Sequence, residues 1–171
     1  MNRFCIFLCL IFNFIFSFHV SAANNVTLNF SGNIKASPCT VSSGNSMQIE
    51  LNTIYAGTLK DIQTASEWKN FNISLINCSS NMTQVSLTFS GEPDSSDVNN
   101  LYKNLGTAKN LAIQLQGGLD NTPLGNQKKL NVALNNQKNI DIPLKVRAYT
   151  VTGNVTSGTI LANITSTITY L

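Results

Sequence analysis

Histidine occurs once in the 171 residues, at position 19, and charged residues make up only 11% of the chain. Without a second histidine, the usual pairings of a nucleophile with its base cannot be assembled. Glu92, Asp94 and Asp97 fall together in a turn-rich stretch, which reads as a solvated loop and not as a working carboxylate pair. Catalysis is therefore not expected. The lysines are scattered, apart from Lys128-Lys129, so there is no nucleic-acid footprint. A metal site would want histidines or more cysteines than the four present. No cofactor, metal or small-molecule substrate is expected. No run beyond residue 22 is apolar enough to span a membrane.

What is present begins with a secretory leader. Arg3 gives a short positive region, and Ile6 to Phe18 is apolar apart from Asn13 and Ser17. Val20-Ser21-Ala22 places small residues where a signal peptidase reads, so cleavage is expected before Ala23. The run is short for a membrane anchor, and no basic stop-transfer cluster follows it. Removing residues 1–22 leaves 149 residues, with 10 basic and 8 acidic side chains, enough for one domain with a proper core. Cys5, Cys9 and His19 leave with the leader. Cys39 and Cys78 remain, in a compartment that permits disulfides, and one bridge is the natural reading.

The rest of the chain is written in period two. Val26, Leu28 and Phe30 alternate with polar neighbours, and so do Met47, Ile49 and Leu51; Phe71, Ile73 and Leu75; Val85, Leu87 and Phe89; Leu111, Ile113 and Leu115; Leu130, Val132 and Leu134; and Ile140 to Ala148. Such alternation predicts strands with one face in a core and one in water. Ser43-Gly44-Asn45, Glu92-Pro93-Asp94, Gly117-Gly118 and Thr152-Gly153-Asn154 supply turn chemistry between the runs. Many short strands with a single bridge predict an all-β sandwich of immunoglobulin type, with a barrel as the alternative. Thr64 to Lys69 is expected as a short helical turn with Trp68 anchored in the core. Pro143 interrupts a strongly alternating run and is expected to face outward, at a bulge or a free edge.

One end of the chain offers a spare strand, and the other ends on a strand with nothing after it to pair with. Gly158, Ile160, Ala162, Ile164, Ser166, Ile168 and Tyr170 share one face of the final run, which stops at Leu171. Ala23 to Ser37 offers a strand whose inward set is Val26, Leu28, Phe30 and Ile34, with Gly32 in the same register. Periodicity allows two readings: the ends pair within one molecule, as sheets usually do, or between molecules by strand addition.

A strand-like arm before Ser37-Pro38-Cys39-Thr40-Val41, the second cysteine in Leu75-Ile76-Asn77-Cys78, the segments Tyr102 to Ala108 and Ile142 to Ala148, and the closing pattern with Gly158 and Tyr170 together resemble the pilin subunits of chaperone–usher fimbriae. The similarity is nearest to the adaptor-type minor subunits of type 1 fimbriae. It covers the chain after the leader, and Ser166 departs from the family's apolar pattern. The resemblance implies an incomplete immunoglobulin-like β-sandwich lacking its last strand. It implies a donor arm at 23–37, inserting Val26, Leu28, Phe30 and Ile34 with Gly32 giving close backbone approach, and a pilin domain at 38–171. The acceptor groove would be edged by Gly158, Ile160, Ala162, Ile164, Ile168 and Tyr170. A periplasmic chaperone would fill the groove and hold the carboxylate of Leu171. An outer-membrane usher would then exchange the chaperone strand for the next subunit's arm, building a cell-surface fimbrium that supports adhesion. A major rod subunit of the same class is the alternative within the family. A sugar-binding module is a more distant one, since a tip adhesin's extra lectin domain has no room here. Seven glycosylation sequons, among them Asn77, Asn154 and Asn163, read as chance in a chain rich in Asn, Ser and Thr.

Overall fold

Every alternating run from Phe71 to Ala148 becomes a strand, and the final run does so from Ile164 onward, because each finds an antiparallel partner to satisfy its backbone. The computed structural model describes residues 29–33 and 38–171. The chain divides into two compact units, Met1–Ile34 and Lys35–Leu171. In the first, residues 29–33 carry no regular secondary structure, Phe30 is 90% exposed, and a Cβ added at Gly32 would meet nothing. The leader and Val26, Leu28 and Ile34 of the expected arm lie outside the described residues.

The second unit contains β1 (Thr40–Val41), a 3₁₀ turn at Ala56–Leu59, β2 (Thr64–Ala65), β3 (Lys69–Ile76), β4 (Gln84–Gly91), β5 (Leu101–Lys103), β6 (Ala112–Gly117), β7 (Lys129–Ala133), β8 (Ile140–Thr150) and β9 (Ile164–Tyr170). The larger sheet runs β1-β3-β8-β6-β5, with β2 also on β8, and the smaller runs β7-β4-β9. All pairings are antiparallel. The chain passes back and forth between the sheets, as in immunoglobulin-like sandwiches. Leu75, Ile113, Leu115, Ile142, Leu144 and Val146 of one sheet pack in a single core with Val85, Leu87 and Phe89 of the other. Tyr102 is fully buried there and donates its hydroxyl to the Leu124 carbonyl at 2.9 Å. Burial pushes that phenol far above its ordinary pKa, so it remains a neutral donor.

Cys39 and Cys78 are both buried and disulfide-bonded, tying the chain just before β1 to the loop after β3. Pro143 faces outward, as expected, but occupies neither a bulge nor a free edge. It sits between Asn72 of β3 and the end of β6, where the β6–β8 ladder stops at Gly117 opposite Leu144. Gly118 donates to the Pro143 carbonyl at 2.8 Å, and with no further rung required the missing N–H costs nothing. The 64–69 stretch is not helical: Thr64–Ala65 pairs with Tyr149–Thr150 of β8. Trp68 is half-buried on the outer surface of the larger sheet, not in the core. There the Arg147 guanidinium lies 4.1 Å and the Lys145 ammonium 4.8 Å from its ring centroid. The cations on the outward face of β8 hold it as a cation–π stack.

Candidate functional site

A sheet edge is a row of unpaired donors and acceptors, and native folds usually blunt it with charge, shortness or cover. The edge strands β1, β2 and β5 are only two or three residues long, and β5 carries the Lys103–Glu92 ion pair. β7 has five residues and opens on exposed Lys129. β9 has none of these protections. It is seven residues, Ile-Thr-Ser-Thr-Ile-Thr-Tyr, without a charge, and it pairs with β4 alone among the described residues.

Its side chains alternate, as the sequence requires. Thr165, Thr167 and Thr169 are exposed, while Ile164, Ser166, Ile168 and Tyr170 face inward. The inward residues are only half-buried, whereas Val85, Leu87 and Phe89 of β4, flanked by strands on both sides, are buried to 2% exposure or less. Ile160 and Ala162 continue the half-buried row. A second row belongs to the 47–51 run. It is the one described alternating run that forms no strand. Ile49 and Leu51 are half-buried on the same core cluster, while Gln48, Glu50 and Asn52 point to solvent. Two stretches, one with no ladder and one with half a ladder, thus present apolar side chains to one core without a covering strand.

Both ends of the β9 run are pinned. At the far end, the Tyr170 hydroxyl donates to the Cys39 carbonyl at 3.1 Å. Burial pushes its phenol above the ordinary pKa, keeping it a donor. Leu171 pairs with Gln84 in both directions, its oxygen also accepting from the Thr83 amide at 3.2 Å. The Leu171 side chain is exposed.

At the near end, residues 158–161 leave the smaller sheet and cross the 104–108 loop. Asn104 Oδ1 accepts from the amides of Gly106 and Leu161. Its Nδ2 donates to the carbonyls of Ala108 and Thr159. Thr107 and Thr159 exchange hydroxyl and amide bonds. The two glycines make the crossing possible. A Cβ on Gly106 would lie 2.1 Å from the Thr159 oxygen, and one on Gly158 would lie 2.3 Å from the Ala108 nitrogen. Gly158 is therefore a backbone-crossing residue at the mouth of the row. Replacing it with valine sets side chain against main chain, which cannot move aside, and should cost about 3 kcal/mol. A fall in urea midpoint with unchanged slope measures this; an unshifted midpoint would refute the crossing. The sequence showed Asn104, Gly106 and Thr107 only as part of a segment shared with a family, and their clasp onto Thr159 has no local pattern to reveal it.

The model of the fimbrial protein family matches residues 28–171. FimG of Escherichia coli strain K12 is 37% identical over 148 residues, covering 86% of each chain. The S-fimbrial adhesin protein SfaS of Escherichia coli O6:K15:H31 strain 536 is 35% identical over 151 residues, again 86% of each. Among solved structures, a chaperone–usher pilus subunit matches with a TM-score of 0.62 at 16% identity, over 86% of this chain and 96% of that one. The P pilus rod subunit PapA matches with a TM-score of 0.61 at 19% identity, over 79% of this chain and 100% of that one. These structural likenesses establish the fold, while the family match and the sequence identities establish the kinship: the chain belongs to the fimbrial protein family.

Proposed function

We propose that this chain is a structural subunit of a chaperone–usher fimbria, polymerised when a strand from another chain is laid along the free edge of β9. The observation that carries this reading is the unprotected edge itself, seven uncharged residues over a half-covered apolar row, with the unladdered 47–51 run on the same core. An added strand would pair with β9, and its alternate side chains would complete the core. The arm at 23–37 serves the same end for a neighbour: Val26, Leu28, Phe30 and Ile34 enter the neighbour's groove, and Gly32 lets the backbones close up. Before assembly, a periplasmic chaperone fills the gap and an outer-membrane usher exchanges its strand for an arm, delivering the subunit to the surface fimbrium. The sequence kinship with an S-fimbrial adhesin protein favours a place at or near the tip over the rod. The work is done by packing alone and requires no chemistry.

The test is unfolding of residues 36–171 with and without a synthetic peptide of residues 23–37. Four apolar side chains newly buried, less the cost of ordering the peptide, should add on the order of 5 kcal/mol, and slowly. A truncated domain that is already stable and indifferent to peptide would show that the sandwich closes without a donor.

A further inference from the structure

The apolar row contains one dissonant atom. Ser166 sits on the inward face of β9 between Ile164 and Ile168, opposite buried Phe89 of β4. Its hydroxyl is shielded from water and has no hydrogen-bond partner, the one buried side-chain polar atom so placed among the described residues. A hydroxyl stripped of water and left unpaired is a standing cost. Two other buried hydroxyls are met: Tyr102 by Leu124 and Thr150 by the Asn110 carbonyl at 2.6 Å.

Building on the strand-acceptance reading above, we infer that Ser166 is a specificity-determining residue, selecting an incoming strand that carries one Ser, Thr or Asn side chain within an otherwise apolar inward face. Rotation about a single side-chain bond moves the hydroxyl among three staggered positions, so an entering strand that supplies a donor or acceptor at this level completes it. The chain's own arm cannot. In the register that fills the row, its inward set is Val26, Leu28, Phe30, Gly32 and Ile34, with no hydrogen-bonding side chain. A one-residue slip turns every side chain over: Thr27, Asn29, Ser31 and Asn33 would then point inward together, and while one of them could meet Ser166 the others would face the apolar side chains of the row. Either way a second copy is the poorer partner. Ser166 thus biases the groove toward a different subunit and against a homopolymer, a selection made by one unmet hydrogen bond.

Titration of the full mature chain with peptides tests this. The probes are the 23–37 peptide and five relatives, each with threonine at one inward position: V26T, L28T, F30T, G32T or I34T. On the wild-type chain, one relative should bind about tenfold more tightly than the parent, the worth of one hydrogen bond in a dry site. In Ser166→Ala that preference should vanish, and in Ser166→Val the parent peptide should become the tighter ligand, with self-assembly rising by light scattering. Ser166→Ala removes the hydroxyl with little change in shape, so a misfolded valine variant does not decide the matter. The inference is overturned if every threonine peptide binds the wild type more weakly than the parent, or if the preference survives in Ser166→Ala. If no peptide binds the wild type or either variant, strand acceptance itself fails, and this inference with it.

Discussion

Replacing both Cys39 and Cys78 with alanine should remove about 4 kcal/mol of stability, the loop-closure entropy of a bridge spanning 39 residues. That is a large part of the roughly 5–15 kcal/mol that holds most domains folded. Location adds to the magnitude. β1 is two residues long and meets only Thr40 to Ile76 and Val41 to Leu75 in its ladder. The bridge therefore does most of the fastening for the chain that leads on to Ile49 and Leu51. Its loss should free one of the two apolar rows as well as destabilise the whole. Denaturation of the double variant against the oxidised wild type measures the first effect, and binding of the 23–37 peptide the second. A loss below about 1 kcal/mol would mean that packing, and not the cross-link, anchors this segment.

Most of the sandwich was legible because its strands are half-buried, and a half-buried strand writes its two faces into the sequence. β3, β4, β6, β7 and β8 all lie where alternation put them. The strands that escaped notice, β1, β2 and β5, are two or three residues long, too short for a period to show. Trp68 reads as a core residue because a large aromatic ring predicts burial, whereas its cover comes from Arg147 and Lys145, residues nearly eighty positions away. The 47–51 run has the pattern of a strand and no ladder, because pattern records the core beneath a segment and says nothing of the partner beside it.

Asparagine shows a similar limit. Its abundance reads only as the source of chance sequons. Seven asparagines instead adopt positive φ, at 52, 77, 110, 121, 135, 136 and 154. Asparagine tolerates this left-handed conformation better than other residues with a side chain. The chain has only 10 glycines, and asparagine does the turning that glycine does elsewhere. The row along β9 was also legible from its alternation; the clasp of Asn104 and Thr107 on Thr159 was not, since it joins segments some fifty residues apart.

Phe30→Asp should abolish fibre formation while leaving the folded domain and its disulfide intact. Phe30 is 90% exposed and holds nothing together within its own described surroundings, so the change should not unfold the subunit that carries it. In the assembled fibre the same position would deliver the largest side chain of the arm to a neighbour's groove. There the variant forfeits roughly 3 kcal/mol of aromatic burial and adds the larger cost of a carboxylate in an apolar row. A combined loss above about 5 kcal/mol is more than a thousandfold in the exchange equilibrium. The defect should also be one-sided. A Phe30→Asp subunit keeps β9 and the 47–51 run, so it should still accept a wild-type arm and yet donate none, ending any fibre it joins. Fibre yield from the variant alone, and fibre length in mixtures with wild type, test the two halves of the claim. Normal yield from the variant alone would remove Phe30 from the donor face and, with it, the register assigned to the arm.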